Sequence, residues 1–354
     1  MKIITVIGAR PQFIKAGVVS KQIRENSSLD EKIIHTGQHF DANMSNIFFE
    51  QLGMPRPDFQ LSISGGNHGS MTGRMLIEIE EVFLKEKPDM VLVYGDTNST
   101  LAGALAAAKL HIPVSHVEAG LRSYNMKMPE EINRILTDQI SDILFCPTQV
   151  AVDNLNKEGF LNKNTEVYNV GDVMQDSALL FSEYAQQPNN NGFHEDFILA
   201  TIHRAENTDD PERLADIIYA LNELNRTFAQ VVLPLHPRTK STIEKLGIKL
   251  EVKIIDPVGY LEMLWLLKAS KLVLTDSGGV QKEAFFFGKS CVTMRDQTEW
   301  VELIEVGANT LVGANKNDII EVSRRNFGRK IVDNDNLYGG GRASASIVDI
   351  LSKI

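Results

Sequence analysis

The 354-residue chain reads as an α/β protein made of two successive βα arrays. Short apolar runs bounded by Gly, Pro and polar residues recur along it, and longer stretches with helical spacing lie between them. One polar stretch without periodicity, Ala185-Gln186-Gln187-Pro188-Asn189-Asn190-Asn191-Gly192, interrupts the rhythm and reads as an interdomain linker or exposed loop. Before it, strands are expected at Lys2–Gly8, Lys32–Thr36, Met90–Tyr94, Val114–Val117, Ile143–Cys146 and Val167–Val170. After it they are expected at Phe197–Thr201, Gln230–Pro234, Val252–Ile255, Leu272–Thr275 and Ser290–Thr293. Helices fit Thr97–Leu110, Pro211–Asn225, Tyr260–Ala269 and Gly279–Phe287, with a last one at Arg342–Lys353. Strands alternating with helices imply parallel sheets covered on both faces. The expected domains are 1–180, 181–341 and a terminal helix, 342–354, packing back on the first.

Composition narrows the function. The chain is 43% hydrophobic and 23% charged, as an ordinary globular protein is, and its net charge of −10 argues against a nucleic-acid partner. The two cysteines, Cys146 and Cys291, lack metal-ligand spacing and are too few for a disulfide framework. No apolar run approaches the roughly 20 residues of a membrane span, and the first strand is too short for a signal segment. The expected location is the cytoplasm.

In open α/β sheets ligands meet the carboxyl ends of strands, so the residues just after each strand carry the chemistry. After the first strand, Gly8-Ala9-Arg10-Pro11 permits a tight turn into a helix, and Arg10 and Lys15 flank a helix start that favours anions. Asp96, in Tyr94-Gly95-Asp96-Thr97, reads either as an N-cap or as a working carboxylate. Glu118 follows the next strand, and Pro129-Glu130-Glu131 opens a helix in which one of the two acids serves only the helix dipole. Glu130 and Arg134 are four apart and share a helix face. Three carboxylates converging on one sheet edge exceed what capping needs and suit acid/base work. In the second half, His203 is a candidate proton donor or phosphate partner, or else a hydrogen-bonded structural histidine. His236 forms a second histidine turn of lower weight. Thr275-Asp276-Ser277-Gly278-Gly279 joins a strand to a helix whose first amides can approach a pyrophosphate, and Glu283 inside that helix can accept both hydroxyls of a ribose. No Gly-x-Gly-x-x-Gly fingerprint, Walker loop or Cys/His metal cluster is present.

Taken together, Gly8-Ala9-Arg10-Pro11, Gly95-Asp96-Thr97, His116-Val117-Glu118-Ala119-Gly120-Leu121-Arg122, Pro129-Glu130-Glu131 with Asn133-Arg134, and Asp276-Ser277-Gly278-Gly279 resemble the non-hydrolysing UDP-N-acetylglucosamine 2-epimerase family. The match runs nearly the whole chain, to Gly341-Arg342-Ala343-Ser344. The resemblance implies two Rossmann-like domains in the glycosyltransferase-B architecture with a cleft between them, a homodimer, and neither metal nor nicotinamide cofactor. It implies a role in supplying surface polysaccharide precursors such as those of lipopolysaccharide. The implied reaction inverts C2 of a UDP-linked 2-acetamido sugar, UDP-GlcNAc to UDP-ManNAc, by elimination and re-addition of UDP. Asp96, Glu118 and Glu130 would be the acid/base set and His203 would assist departure of the phosphate. Arg10 and Lys15 would contact nucleotide or phosphate, and Arg134 would orient Glu130 or touch the sugar. Ser277, Gly278 and Gly279 would hold pyrophosphate, and Glu283 the ribose.

Two segments depart from the family pattern. Thr298-Glu299-Trp300-Val301-Glu302 places Trp300 where an arginine near the phosphates is usual, and Ser123-Tyr124-Asn125-Met126-Lys127-Met128 replaces an aromatic-Pro-Trp-Pro run. Both look closer to the branch acting on UDP-2,3-diacetamido-2,3-dideoxy-glucuronate, in which Lys127, Arg295 or another cation would serve the C6 carboxylate. Gln38 and His39 match a region that binds an activating UDP-GlcNAc in some members, but the Ser64–Ser70 loop lacks the usual glutamines. A glycosyltransferase of the same architecture is the rival of another class.

Overall fold

In a computed structural model, residues 1–38, 56–189, 192–334 and 336–354 are described, except for the Arg10 side chain. The chain forms two compact units, Met1–Ser177 with Asp335–Ile354, and Ala178–Asn334.

The first unit runs β1 (Lys2–Ile7), α1 (Arg10–Glu25), β2 (Asp30–His35), β3 (Phe59–Gln60), α2 (His68–Glu86), β4 (Met90–Tyr94) and α3 (Asn98–Lys109). It continues with β5 (Val114–Val117), α4 (Pro129–Ile140), β6 (Ile143–Cys146), α5 (Gln149–Lys157), β7 (Glu166–Asn169) and α6 (Val173–Phe181), whose last turn enters the second unit. Among the described residues the sheet order is β3-β2-β1-β4-β5-β6-β7, with every pair parallel. The central strands are apolar throughout and fully covered: β4, Met-Val-Leu-Val-Tyr, has no exposed residue, as a parallel strand with helices on both faces requires.

The second unit holds β8 (Phe197–Thr201), α7 (Ala205–Thr208), α8 (Pro211–Thr227), β9 (Gln230–Pro234), α9 (Pro237–Lys245) and β10 (Lys253–Ile255). There follow α10 (Tyr260–Ala269), β11 (Leu272–Thr275), α11 (Gly278–Phe286), β12 (Cys291–Thr293), α12 (Val301–Glu305), β13 (Asn309–Leu311) and α13 (Lys316–Asn326). Its parallel sheet has the order β10-β9-β8-β11-β12-β13. One core layer packs the Leu214–Leu224 face of α8 on Ile198, Val231, Leu233 and Leu274. A second packs Leu266, Leu267 and Ala284 on Phe197, Val232 and Val273.

The end of the chain returns to the first unit as α14 (Ala343–Leu351), which packs on α1. Asp176 caps α14, accepting from Ala343 N at 3.1 Å, Ser344 N at 2.7 Å and Ser344 Oγ at 2.6 Å. The returning loop touches backbone to backbone: Asp172 N donates to Tyr338 O at 2.9 Å, and a side chain on Gly171 (φ +91°) would meet that carbonyl at 2.6 Å.

Both cysteines are buried, and burial pushes the Cys291 thiol up to about 12, so it is inert as a thiolate. Among the described residues no helix is long and apolar enough to cross a membrane, and no group of His, Cys, Asp and Glu could hold a metal ion.

Glu31 is the one carboxyl of β2 turned against β1, where it accepts from Thr5 Oγ1 at 2.5 Å. Loss of water around it pushes its pKa from 4.5 up to about 7, against the opposing hydrogen bond of Thr5. The folded state therefore holds this proton more tightly than the unfolded chain, and its contribution to stability falls as pH rises from about 4.5 to about 7. The expected result is that Glu31→Gln melts higher relative to the unaltered chain at pH 8 than at pH 5. Equal differences in melting temperature at the two pH values would remove Glu31 from that account.

Candidate active site

In each sheet the chain order reverses once, between β1 and β4 in the first and between β8 and β11 in the second. The connections leaving the two strands at such a place diverge and leave their carboxyl ends open, so the candidate residues after β1, β4, β8 and β11 stand where a ligand is accommodated.

In the first unit Gly8 lies after β1. A side chain there would overlap Thr36 Oγ1 and Ser99 Oγ, so in the two-residue turn from β1 to α1 the glycine also serves a close crossing of side chains. Gln12 closes the start of α1: its Oε1 accepts from Gly8 N at 2.8 Å and Ala9 N at 3.0 Å, and its Nε2 donates to Tyr94 O at 2.8 Å. Those amides are thus taken by the protein itself. The Arg10 side chain and His39 lie outside the described residues. Gln38 is engaged, accepting from Ser99 N at 3.1 Å and Ser99 Oγ at 2.7 Å.

Lys15 and Glu118 form an ion pair with both side chains 11% exposed. The Glu118 backbone is left-handed (φ +71°), a rare state for a residue with a Cβ. It is held by the bond from Glu118 N to Phe145 O at 3.1 Å. The Glu118 carboxylate lies over Gly95, whose added side chain would stand 3.2 Å from Oε2. Asp96 follows directly. It is not the cap of α3, because Thr97 takes that role, accepting from Thr100 N at 3.3 Å. The Asp96 carboxylate pairs instead with Arg134, which also pairs with Glu131. Arg134, expected either to orient Glu130 or to touch the sugar, is paired with Asp96 and Glu131. Asn133 adds a bond from Nδ2 to Asp96 O at 3.0 Å.

The two acids opening α4 divide sharply. Glu131 is fully buried and accepts from Ser123 N at 3.0 Å and Tyr124 N at 2.8 Å, which fixes the loop before the helix. Glu130 is exposed. It precedes Asn133 and Arg134 by three and four residues, so it shares the helix face that meets the Asp96 turn.

Beneath these turns runs a buried polar chain absent from the sequence reading. His116 Nδ1 lies 2.7 Å from Asp138 Oδ1, and its Nε2 lies 2.7 Å from Gly95 O. Both partners are acceptors, so each ring nitrogen faces an oxygen. Asp138 also accepts from Gly120 N at 3.1 Å and pairs with Arg122 at 2.7 Å, and Arg122 meets Glu158 at 2.7 Å. Burial opposes the Asp138 charge, but the hydrogen bond and charge of His116 with the charge of Arg122 outweigh it and hold the carboxyl below its usual range. One histidine–aspartate pair therefore pins the turns after β4 and β5, those that carry Asp96 and Glu118. The signal was in His116-Val117-Glu118-Ala119-Gly120-Leu121-Arg122, but Asp138 comes from α4.

In the second unit a cavity of about 350 Å³ is lined by His203, Arg204, Ser277, Gly278, Gly279, Glu299 and Trp300. His203 is exposed. Its turn is held by Asp276, fully buried, whose carboxylate accepts from His203 N and Arg204 N at 3.0 Å each and from Asn207 Nδ2 at 3.2 Å. Ser277 is the N-cap of α11 and makes no capping side-chain bond, so the helix start is open. Glu283 is buried within α11. Arg295 is buried and engaged by Glu299 at 2.7 Å, and Arg204 lies 3.6 Å from the same carboxylate. Burial raises the Glu299 pKa, but its own backbone amide and the two guanidinium groups more than offset this and hold it below the usual range. Arg204, Glu299 and Asp276 were not expected at the site. Lys127 is exposed, and His236 caps α9, accepting from Arg238 N at 3.3 Å.

Two parallel α/β sheets of this order, each with its polar residues at the reversal, belong to the glycosyltransferase-B class. The crystal structure of the Methanocaldococcus jannaschii UDP-GlcNAc 2-epimerase in complex with UDP-GlcNAc and UDP is 44% identical, covers 100% of both chains and superposes with a TM-score of 0.85. That of the Neisseria meningitidis UDP-GlcNAc 2-epimerase bound to UDP-GlcNAc is 32% identical over 100% of both chains, with a TM-score of 0.86. The Pseudomonas aeruginosa UDP-2,3-diacetamido-2,3-dideoxy-D-glucuronate 2-epimerase is 69% identical over 354 residues, covering 100% of both chains. The family profile described as UDP-N-acetylglucosamine 2-epimerase matches residues 21–352. The chain belongs to the UDP-N-acetylglucosamine 2-epimerase family, and is an isomerase.

Asp138→Asn leaves the buried Arg122 side chain short of a counter-charge. Its expected cost is about 3 kcal/mol of stability, read from urea unfolding. A loss well under about 1 kcal/mol would show that this pair does not hold the turns.

Proposed function

We propose that this chain inverts C2 of UDP-2,3-diacetamido-2,3-dideoxy-D-glucuronate, with UDP-N-acetylglucosamine as the second reading. The observation carrying the reaction is that Glu118 and Asp96 sit on adjoining turns, each paired with its own cation, Lys15 and Arg134. The full-length likeness to the Pseudomonas enzyme favours the first sugar. The resemblance to the Methanocaldococcus and Neisseria enzymes keeps the second in play.

The C2 proton has no adjacent carbonyl to acidify it. Departure of UDP from C1 supplies the needed electron deficiency, because an oxocarbenium-like C1 makes the C2 proton removable. The C2–H electrons then form the C1–C2 double bond of a glycal. Re-protonation of C2 on the opposite face and re-addition of UDP complete the inversion. Opposite faces require separately placed acid/base groups, and we assign these to Asp96, Glu118 and Glu130. The open start of α11, with Ser277, Gly278, Gly279 and His203, suits the leaving diphosphate. Glu283 is assigned to the ribose, and Arg10 and Arg295 to the substrate's anionic groups. Lys15 is assigned to Glu118 rather than to the nucleotide.

In deuterated water, incubation with each of the two UDP-sugars is expected to place deuterium at C2 of the epimerised product, fastest for the diacetamido uronate. Epimerised product without deuterium would rule out the proton transfer, and product only with an added acceptor would point to a glycosyltransferase. Glu118→Gln is expected to lower kcat by about 10²–10⁴-fold while UDP affinity, measured by calorimetry, stays nearly unchanged.

We further propose a homodimer through the helices of the first unit. Ile77 and Leu84, two turns apart on α2, are 61% and 57% exposed, and Ile132 and Leu136 on α4 are 39% and 45% exposed. Helices α2 and α4 both pack on α3, and such exposed apolar residues mark a contact surface. Leu84→Arg is expected to shift sedimentation from dimer to monomer. A monomer in the unaltered chain would overturn this proposal.

A further inference from the structure

The indole nitrogen of Trp300 is a buried donor that the protein leaves unanswered. Trp300 is 8% exposed, and Nε1 has no hydrogen-bond partner. Such a group costs stability unless something satisfies it. Lys282 Nζ covers one face of the ring, 4.2 Å from its centroid. It faces the start of α11: a β-carbon on Gly278 would lie 3.3 Å from Nε1 and would overlap Glu299 Oε1. Any larger residue than glycine would therefore fill the space in front of the indole.

What belongs in that space follows from its surroundings. An indole N–H donates and never accepts, so its partner is an acceptor atom. The neighbouring helix start is uncapped by Ser277, and Arg204 and Arg295 stand beside it. These favour an acceptor that carries negative charge. The protein's own Glu299 carboxylate already occupies the mouth of the cavity as a partner of both arginines. We propose that Trp300 Nε1–H donates to an oxygen of the substrate's diphosphate at the start of α11, and that the Glu299 carboxylate withdraws to admit it. Trp300 thereby becomes a phosphate-binding residue acting through a neutral donor. This rests on the reading of a UDP-sugar as substrate.

Trp300→Phe keeps an aromatic ring for Lys282 and removes the N–H together with part of the ring. Titrated calorimetrically with the full chain, it is expected to bind UDP about ten- to a hundredfold more weakly, the worth of one hydrogen bond to a charged group, and to bind uridine unchanged. The chain has two tryptophans, so its ¹⁵N–¹H spectrum carries two indole signals, and the one lost in the variant is that of Trp300. In the unaltered chain that signal, identified equally as the one kept in Trp265→Phe, is expected to move downfield with UDP and to stay in place with uridine. A variant that binds UDP as the unaltered chain does, or a Trp300 signal unmoved by saturating UDP, overturns the assignment while leaving the proposed reaction standing. No binding of UDP by the unaltered chain overturns both.

Discussion

Two adjacent parallel strands whose connections leave in opposite directions cannot both be roofed over. That constraint acts between β1 and β4 and again between β8 and β11. Lys15, Asp96, His203 and Ser277 all follow these four strands. The chain turns abruptly after β4 and after its neighbour β5, where Gly95, Glu118 and Gly120 adopt positive φ. At Glu118 such a backbone costs about 1–3 kcal/mol. Its persistence depends on the bond to Phe145 and on the His116–Asp138 pair on either side of it.

The two units treat charge in opposite ways. In the first, the acids buried or half-buried near the turns are paired with cations: Lys15 with Glu118, Arg134 shared by Asp96 and Glu131, and Arg122 with Asp138, while Glu130 stands exposed. Neighbouring carboxylates can then stand close without confronting each other's charge. In the second, the arginines gather at an open helix start, with one carboxylate between them. The first arrangement suits moving protons and the second suits holding an anion.

Much of this was legible in the chain itself. Met90–Tyr94 and Leu272–Thr275 are continuous apolar runs, and both are strands with those bounds. The strands Phe59–Gln60 and Asn309–Leu311 escaped, since two or three residues carry no periodicity. At the site, residue type and position relative to a strand end were readable, but partnership was not. Asp96 reads equally as a cap until Arg134, 38 residues on, is seen beside it. Glu130 and Glu131 are equivalent in a first helical turn, and only the backbone of Ser123 and Tyr124 tells them apart. Asp276, Arg204 and Trp300 gain meaning from strands that pair across the sheet, which spacing along the chain does not encode.

The return of the last helix to α1 makes the second unit an insertion within the first. During synthesis Ala178–Asn334 can complete its own sheet while the first unit still lacks α14, and only when Ala343–Leu351 emerges can Asp176 bind the helix start. The half bearing the acids is thus begun first and finished last. Loss of a few terminal residues would wound the older half of the polypeptide and spare the younger.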